Sequence, residues 1–123
     1  MRLHFDPASS RTLISAYGEG FVVINEERFT ASLVVYPARV RERWGPSSID
    51  EVDGASLGAL FDEGPEIVIL GTGRRQRFPS NEVLAPLYAR RVGIEIMDTF
   101  AACRTFNVLA AENRVVVAGL IIE

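Results

Sequence analysis

Apolar and polar positions alternate along the first third of the chain in the rhythm of β-structure. Leu13-Ile14-Ser15-Ala16-Tyr17 runs into Gly18-Glu19-Gly20, a turn signal, and Phe21-Val22-Val23-Ile24 follows. Asn25-Glu26-Glu27-Arg28 reads as a second polar turn, ahead of a strand over residues 29–36. There Phe29, Ala31, Leu33 and Val35 alternate with Thr30, Ser32, Val34 and Tyr36, as on a strand with unequal faces. Pro37 closes that strand because it cannot donate to a ladder. Residues 40–44 form a short edge strand, with Val40 and Trp44 separated by Arg and Glu. Turn residues dominate from 45 to 63, and a helix is predicted from Gly54 or Ala55 to Phe61.

From Glu66 the pattern changes to alternating strands and helices. Ile67-Val68-Ile69-Leu70 has no polar alternation, which suits a central strand covered on both faces. Gly71-Thr72-Gly73 ends it. Ser80 then caps a helix whose Val83, Leu84, Leu87 and Tyr88 fall on one stripe. Pro86 inside that stripe predicts either a kink or a shorter helix beginning there. Gly93 stops the helix, and Ile94-Glu95-Ile96-Met97 is the next strand. Thr99 or Asp98 caps a helix to about Glu112, Asn113 turns the chain, and residues 115–122 form a last, nearly all-apolar strand.

This order predicts an α/β domain over residues 1–123, with a mixed central sheet, helices packed on it and a β-hairpin layer. The crossover from strand 67–70 to strand 94–97 makes that pair parallel. The direction of the last strand is open.

Composition narrows the function classes. The chain has 123 residues, 48% of them hydrophobic and 24% charged, which is ordinary globular composition. A net charge of −3 gives no general attraction to nucleic acid. All 13 basic residues are arginine. The single cysteine excludes an internal disulfide, and the longest apolar run falls far short of the roughly 20 residues of a spanning helix. Residues 1–7 carry neither an apolar signal core nor transit-peptide character, so a cytoplasmic location is expected. One His and one Cys leave no metal site to expect, and no motif calls for a cofactor. The acidic residues Asp50, Glu51 and Asp53 read as favourable charge at the start of the helix at 54 rather than as a calcium loop.

Ligands of open α/β sheets gather at the carboxyl ends of parallel strands. Here those ends are Gly71-Thr72-Gly73-Arg74-Arg75-Gln76-Arg77 and Asp98-Thr99. Gly71 and Gly73 would let backbone N–H groups approach an anion, with Arg74 and Arg77 supplying charge. The glycine spacing is not a nucleotide fingerprint, and a turn with a solvated arginine edge is the structural alternative. Cys103, early in the last helix and next to Arg104, is either an activated thiol or a buried apolar filler. Nothing in the sequence brings His4 near it as a base. Arg104 and Asn107 share a helix face. They either line a pocket beneath the glycine loop or make structural bonds, Arg104 to a carboxylate such as Asp98 and Asn107 to backbone. Trp44 is either an exposed binding anchor or packs across the sheet edge.

Four blocks in combination carry a family resemblance. They are Gly71-Thr72-Gly73, Gln76-Arg77-Phe78-Pro79, residues 93–99 and residues 102–109. With Tyr17-Gly18 and residues 29–37, they make the chain resemble, over almost its whole length, the Mth-type small α/β domain family. That family's relatives include mitochondrial complex I assembly factor three and the adipogenesis-associated Mth domain-containing protein. The resemblance implies a three-layer fold and no established catalytic residue. It points to a non-enzymatic domain of protein-interaction or complex-assembly type, with a protein partner, and leaves the oligomeric state unspecified. The competing expectation is a small-molecule or anion-binding domain, possibly an enzyme. Its pocket would lie between the 71–77 loop and the helix start at 98–107.

Overall fold

Two sheets of unequal size share the chain. The computed structural model describes residues 11–123, so residues 1–10, including His4, lie outside the described residues. Strands β1 (Ile14–Gly18), β2 (Phe21–Ile24) and β3 (Glu27–Phe29) form an antiparallel meander. Gly20, at φ 79°, supplies the positive angle the first turn needs. Asn25 and Glu26 both adopt positive φ in the second, a two-residue turn in which asparagine is at ease and glutamate is not. The expected hairpin layer therefore carries a third strand, and only Asn25 and Glu26 of the expected polar turn are turn residues.

The larger sheet has the order β5-β4-β8-β6-β7. It comprises β4 (Leu33–Val35), β5 (Val40–Arg41), β6 (Ile67–Gly71), β7 (Gly93–Met97) and β8 (Val116–Leu120). β6 is parallel to both β7 and β8, whereas β4 is antiparallel to β5 and β8. The last strand thus runs with β6. The strand expected over 29–36 is split between the sheets. Phe29 pairs with Val22 in the meander, and the chain crosses at residues 30–32 so that Leu33 can pair with Leu120. The expected edge strand 40–44 ends at Arg41: Arg43 takes a φ of 57°, which breaks the extended run, and Trp44 after it is buried in the core.

Helix α1 (Gly54–Gly58) runs on into a 3-10 turn, Ala59–Phe61. Asp53 caps it: its carboxylate accepts the Ser56 N–H, and Ser56 Oγ accepts the Asp53 N–H. Helix α2 (Asn81–Tyr88) is capped by Ser80 and contains Pro86, so it does not begin at the proline. Tyr88, expected on its buried stripe, is 57% exposed. Helix α3 (Thr99–Ala111) is capped by Asp98, whose carboxylate accepts the Ala101 N–H at 2.9 Å, leaving Thr99 as the first helical residue.

The five-stranded sheet separates two cores. On one face Leu33, Val35, Ile69, Val116, Ala118 and Leu120 meet α3 and the meander, which contributes Ile14, Val22 and Ile24. On the other face Val34, Val68, Leu70 and Val117 meet Leu57, Leu60, Leu84 and Leu87 from the helices. Burial on both faces explains why these strands lack polar alternation. Trp44 is buried in the second core, with its indole N–H donating to the Ser56 carbonyl at 2.8 Å. It packs and does not serve as an exposed anchor. Gly119 makes room for it: a Cβ there would lie 2.7 Å from the indole ring.

Candidate functional site

The register Gly71↔Met97 and Gly71↔Leu120 brings the ends of β6, β7 and β8 to one edge of the sheet. The loop after β6 and the start of α3 meet there through main-chain and hydroxyl bonds. Thr99 N–H donates to the Gly73 carbonyl at 2.9 Å, and Gly73 N–H donates to Thr99 Oγ1 at 2.8 Å. Thr99 Oγ1 in turn donates to the Ile121 carbonyl at 2.7 Å. One buried hydroxyl therefore ties the loop, the helix and the end of β8 together. Gly71 serves close packing, since a Cβ on it would lie 3.0 Å from the Ala102 Cβ and 3.1 Å from the Thr99 Cα.

The outer part of the loop is pinned as well. Thr72 Oγ1 donates to the Arg75 carbonyl and accepts the Arg77 N–H at 3.1 Å. The Gln76 carboxamide donates to the Ile96 carbonyl at 3.0 Å. Arg77 pairs with Asp50 at 2.6 Å. The Arg74 N–H donates to the side chain of Glu123 at 2.8 Å, and Gly73, at φ 97°, leaves space that this carboxylate fills. An open depression of about 430 Å³ remains, lined by Thr72, Arg74, Arg75, Arg77 and Glu123.

Of the residues singled out by sequence, Gly73, Arg74, Arg77 and Thr99 gather at this edge. Cys103, Arg104 and Asn107 do not line the depression. Cys103 is fully buried against the meander side of the sheet, and burial pushes its thiol up to about 12. That outweighs the opposing pull of Arg104, so the thiol stays protonated at neutral pH. Arg104 is exposed and donates to the Tyr17 hydroxyl at 3.1 Å rather than bridging to Asp98. That bond holds the guanidinium charge more firmly than usual. Tyr17 also packs on Phe100, with ring centroids 5.0 Å apart. Asn107 bonds to the main chain of Ile14 in β1. The helix face that carries Arg104 and Asn107 thus docks the meander.

Glu123, Asp50 and Phe78 join this edge without having been singled out as site residues. Glu123 could have been placed only once β8 was known to run parallel to β6. Asp50 arrives from a 3-10 turn, Ile49–Glu51, that has no strand or helix periodicity to locate it. Among the described residues, no group of three or more His, Cys, Asp or Glu could hold a metal ion. No helix there is long and apolar enough to cross a membrane.

A family described as "Protein of unknown function (DUF498/DUF598)" matches residues 14–121, from the start of β1 to just beyond β8. The chain belongs to the DUF498/DUF598 family. Among its relatives is a Danio rerio protein named NADH dehydrogenase (ubiquinone) 1 alpha subcomplex assembly factor 3. It is 36% identical over 115 residues, covering 93% of this chain. The chain spans 66% of that protein's length. A crystal structure of a Bordetella parapertussis protein matches with a TM-score of 0.87 and 37% identity, covering 95% of this chain and all of the other. A solution structure from Bordetella pertussis, described as a Mth938-like domain, matches with a TM-score of 0.78 and 34% identity, covering 98% and 92%. The Mth-type resemblance and the three-layer fold it implied both hold for this DUF498/DUF598 member.

Proposed function

We propose that the chain is a non-enzymatic protein-interaction domain of the complex-assembly type. The observation that carries this is its 36% identity, over 93% of its length, to a protein named as an assembly factor. The proposal concerns the shared domain, since the relative is the longer protein.

The side chains fit such a role. Thr99, Cys103 and Asn107, the residues of the α3 block with the most chemistry to offer, are buried or bonded to the protein's own backbone. Among the side chains that α3 and the meander present at the surface are Phe100 and Arg104, with half-buried Tyr17 between them, residue types enriched at protein interfaces. The competing reading, a small anion held between the 71–77 loop and α3, has less behind it. The loop's Gly73 and Arg74 already face the carboxylate of Glu123.

The test is reciprocal co-purification from the organism that makes the chain, with the tag first on this chain and then on the recovered protein. The reading expects one partner recovered in both directions, retained by Cys103→Ala and lost in Phe100→Asp. Recovery of no partner, together with stabilisation by a small anionic metabolite, would contradict it.

A further inference from the structure

The loop between β6 and α2 carries charge and an aromatic ring that neither core uses. Arg74, Arg75 and Arg77 fall within four residues and are all exposed, and Phe78 beside them is 61% exposed. A lone exposed ring is unremarkable, but a ring contiguous with clustered arginines forms an amphipathic tip. The tip is preformed, because Thr72 Oγ1 bonds to the main chain of Arg75 and Arg77 and the Gln76 carboxamide donates to the Ile96 carbonyl. Asp50 is paired with Arg77, and Glu123 accepts from the Arg74 amide. Among the described residues, the guanidinium groups of Arg74 and Arg75 enter no ion pair. They border the open depression, whose wall also carries the Glu123 carboxylate, so the face they offer to an anion is the exposed outer one.

We propose that this tip docks on an anionic phospholipid surface, with Arg74 and Arg75 at headgroup phosphates and Phe78 in the interfacial layer. The guanidinium fork matches phosphate geometry, and basic residues close to an anionic leaflet are drawn to it. Aromatic side chains settle where apolar tails meet headgroups. The chain's net charge of −3 does not oppose this. At physiological salt, charges farther than about 8 Å from the surface are largely screened. Two arginines and one ring make a weak, reversible contact, suited to a protein that visits a membrane.

The experiment is co-sedimentation of the whole chain with vesicles of phosphatidylcholine alone and of phosphatidylcholine mixed equally with phosphatidylglycerol, at low and at physiological salt. Binding is expected only to the anionic vesicles and is expected to weaken with salt. Arg74→Ala with Arg75→Ala should lower partitioning roughly 25-fold, about five-fold per charge. Phe78→Ser should lower it about ten-fold. All variants should melt as the parent does. Arg90 and Arg114 lie at the opposite end of the sheet, so Arg90→Ala with Arg114→Ala is a control of equal charge and should bind as the parent does. Absence of any preference for anionic vesicles would overturn the proposal, as would equal loss in the control. Two further results would do the same in the absence of vesicle binding. Inorganic phosphate perturbing the loop's NMR signals would make the depression a free-anion site, and capture of polyglutamate would make the tip a protein-docking face.

Discussion

The carboxamide of Asn107 is hydrogen-bonded to both main-chain groups of Ile14, donating to its carbonyl at 2.7 Å and accepting its N–H at 3.1 Å. It stands in for a neighbouring strand at the point where the β1–β2 register is irregular, between Ile14 and Ala16. A side chain of α3 thereby ties β1 to the helix, beside the core contacts of Ile14, Val22 and Ile24.

Asn107→Ala would leave two half-buried backbone groups of Ile14 without partners. The expected cost is about 1–3 kcal/mol. Asn107→Asp should cost at least as much, since a carboxylate cannot donate to the Ile14 carbonyl. Urea unfolding gives the magnitude. Native-state hydrogen exchange gives the location: the Ile14 amide should lose protection before strands of the larger sheet do.

Thr99 makes a parallel test at the other end of α3. Its hydroxyl accepts from Gly73 and donates to Ile121, so Thr99→Val, which keeps the shape, should destabilise by about 1–3 kcal/mol. Thr99→Ser keeps the hydroxyl and should cost clearly less. Thermal melts of the two variants side by side decide this.

Cys103 should resist alkylation at pH 8 in the native protein and react fully once the chain is unfolded. Its folded thiol is raised to about 12 from an ordinary value of 9.0, so the folded state holds the proton more tightly. The stability this contributes is complete below pH 9. It is lost between about pH 9 and 12, because there the unfolded chain has released a proton that the folded chain keeps. The slope is at most about 1.4 kcal/mol per pH unit. Cys103→Ala should flatten that part of the stability–pH curve and leave the curve at neutral pH unchanged in shape.

Gly119→Ala should be destabilising by about 1–3 kcal/mol, although it replaces the smallest residue with the next smallest. The new methyl would sit 2.7 Å from the Trp44 ring and 2.9 Å from Leu60 Cδ2. Trp44 is the only tryptophan, so its emission should shift together with the melting temperature.

Much of this was legible in the sequence for a definite reason. Ile67-Val68-Ile69-Leu70 lies between two cores, and its unbroken apolar run announces that. Asp98 and Ser80 fit helix caps because their side chains do what isolated helix ends require. The split of residues 29–36 was hidden because alternation continues through the crossover. Phe29 and Leu33 keep the right parity while serving different sheets. The partners of Arg104 and Asn107 were hidden for a different reason. Both lie about 90 residues earlier, in a strand that local pattern cannot assign to a helix face. At the sheet edge, the unknown direction of β8 concealed Glu123 and with it the carboxylate that the Gly73–Arg74 turn receives.

The most direct test of the central claim, that this is an interaction domain whose α3 block is scaffold, is the native mass of the particle that carries the chain. Gentle extracts would be fractionated by size, with the Cys103→Ala variant alongside the parent. The account predicts that both travel in the same particle, well above the 13.6 kDa of the chain and containing another protein. Elution of the parent without any other protein, in every extract tested, would contradict it.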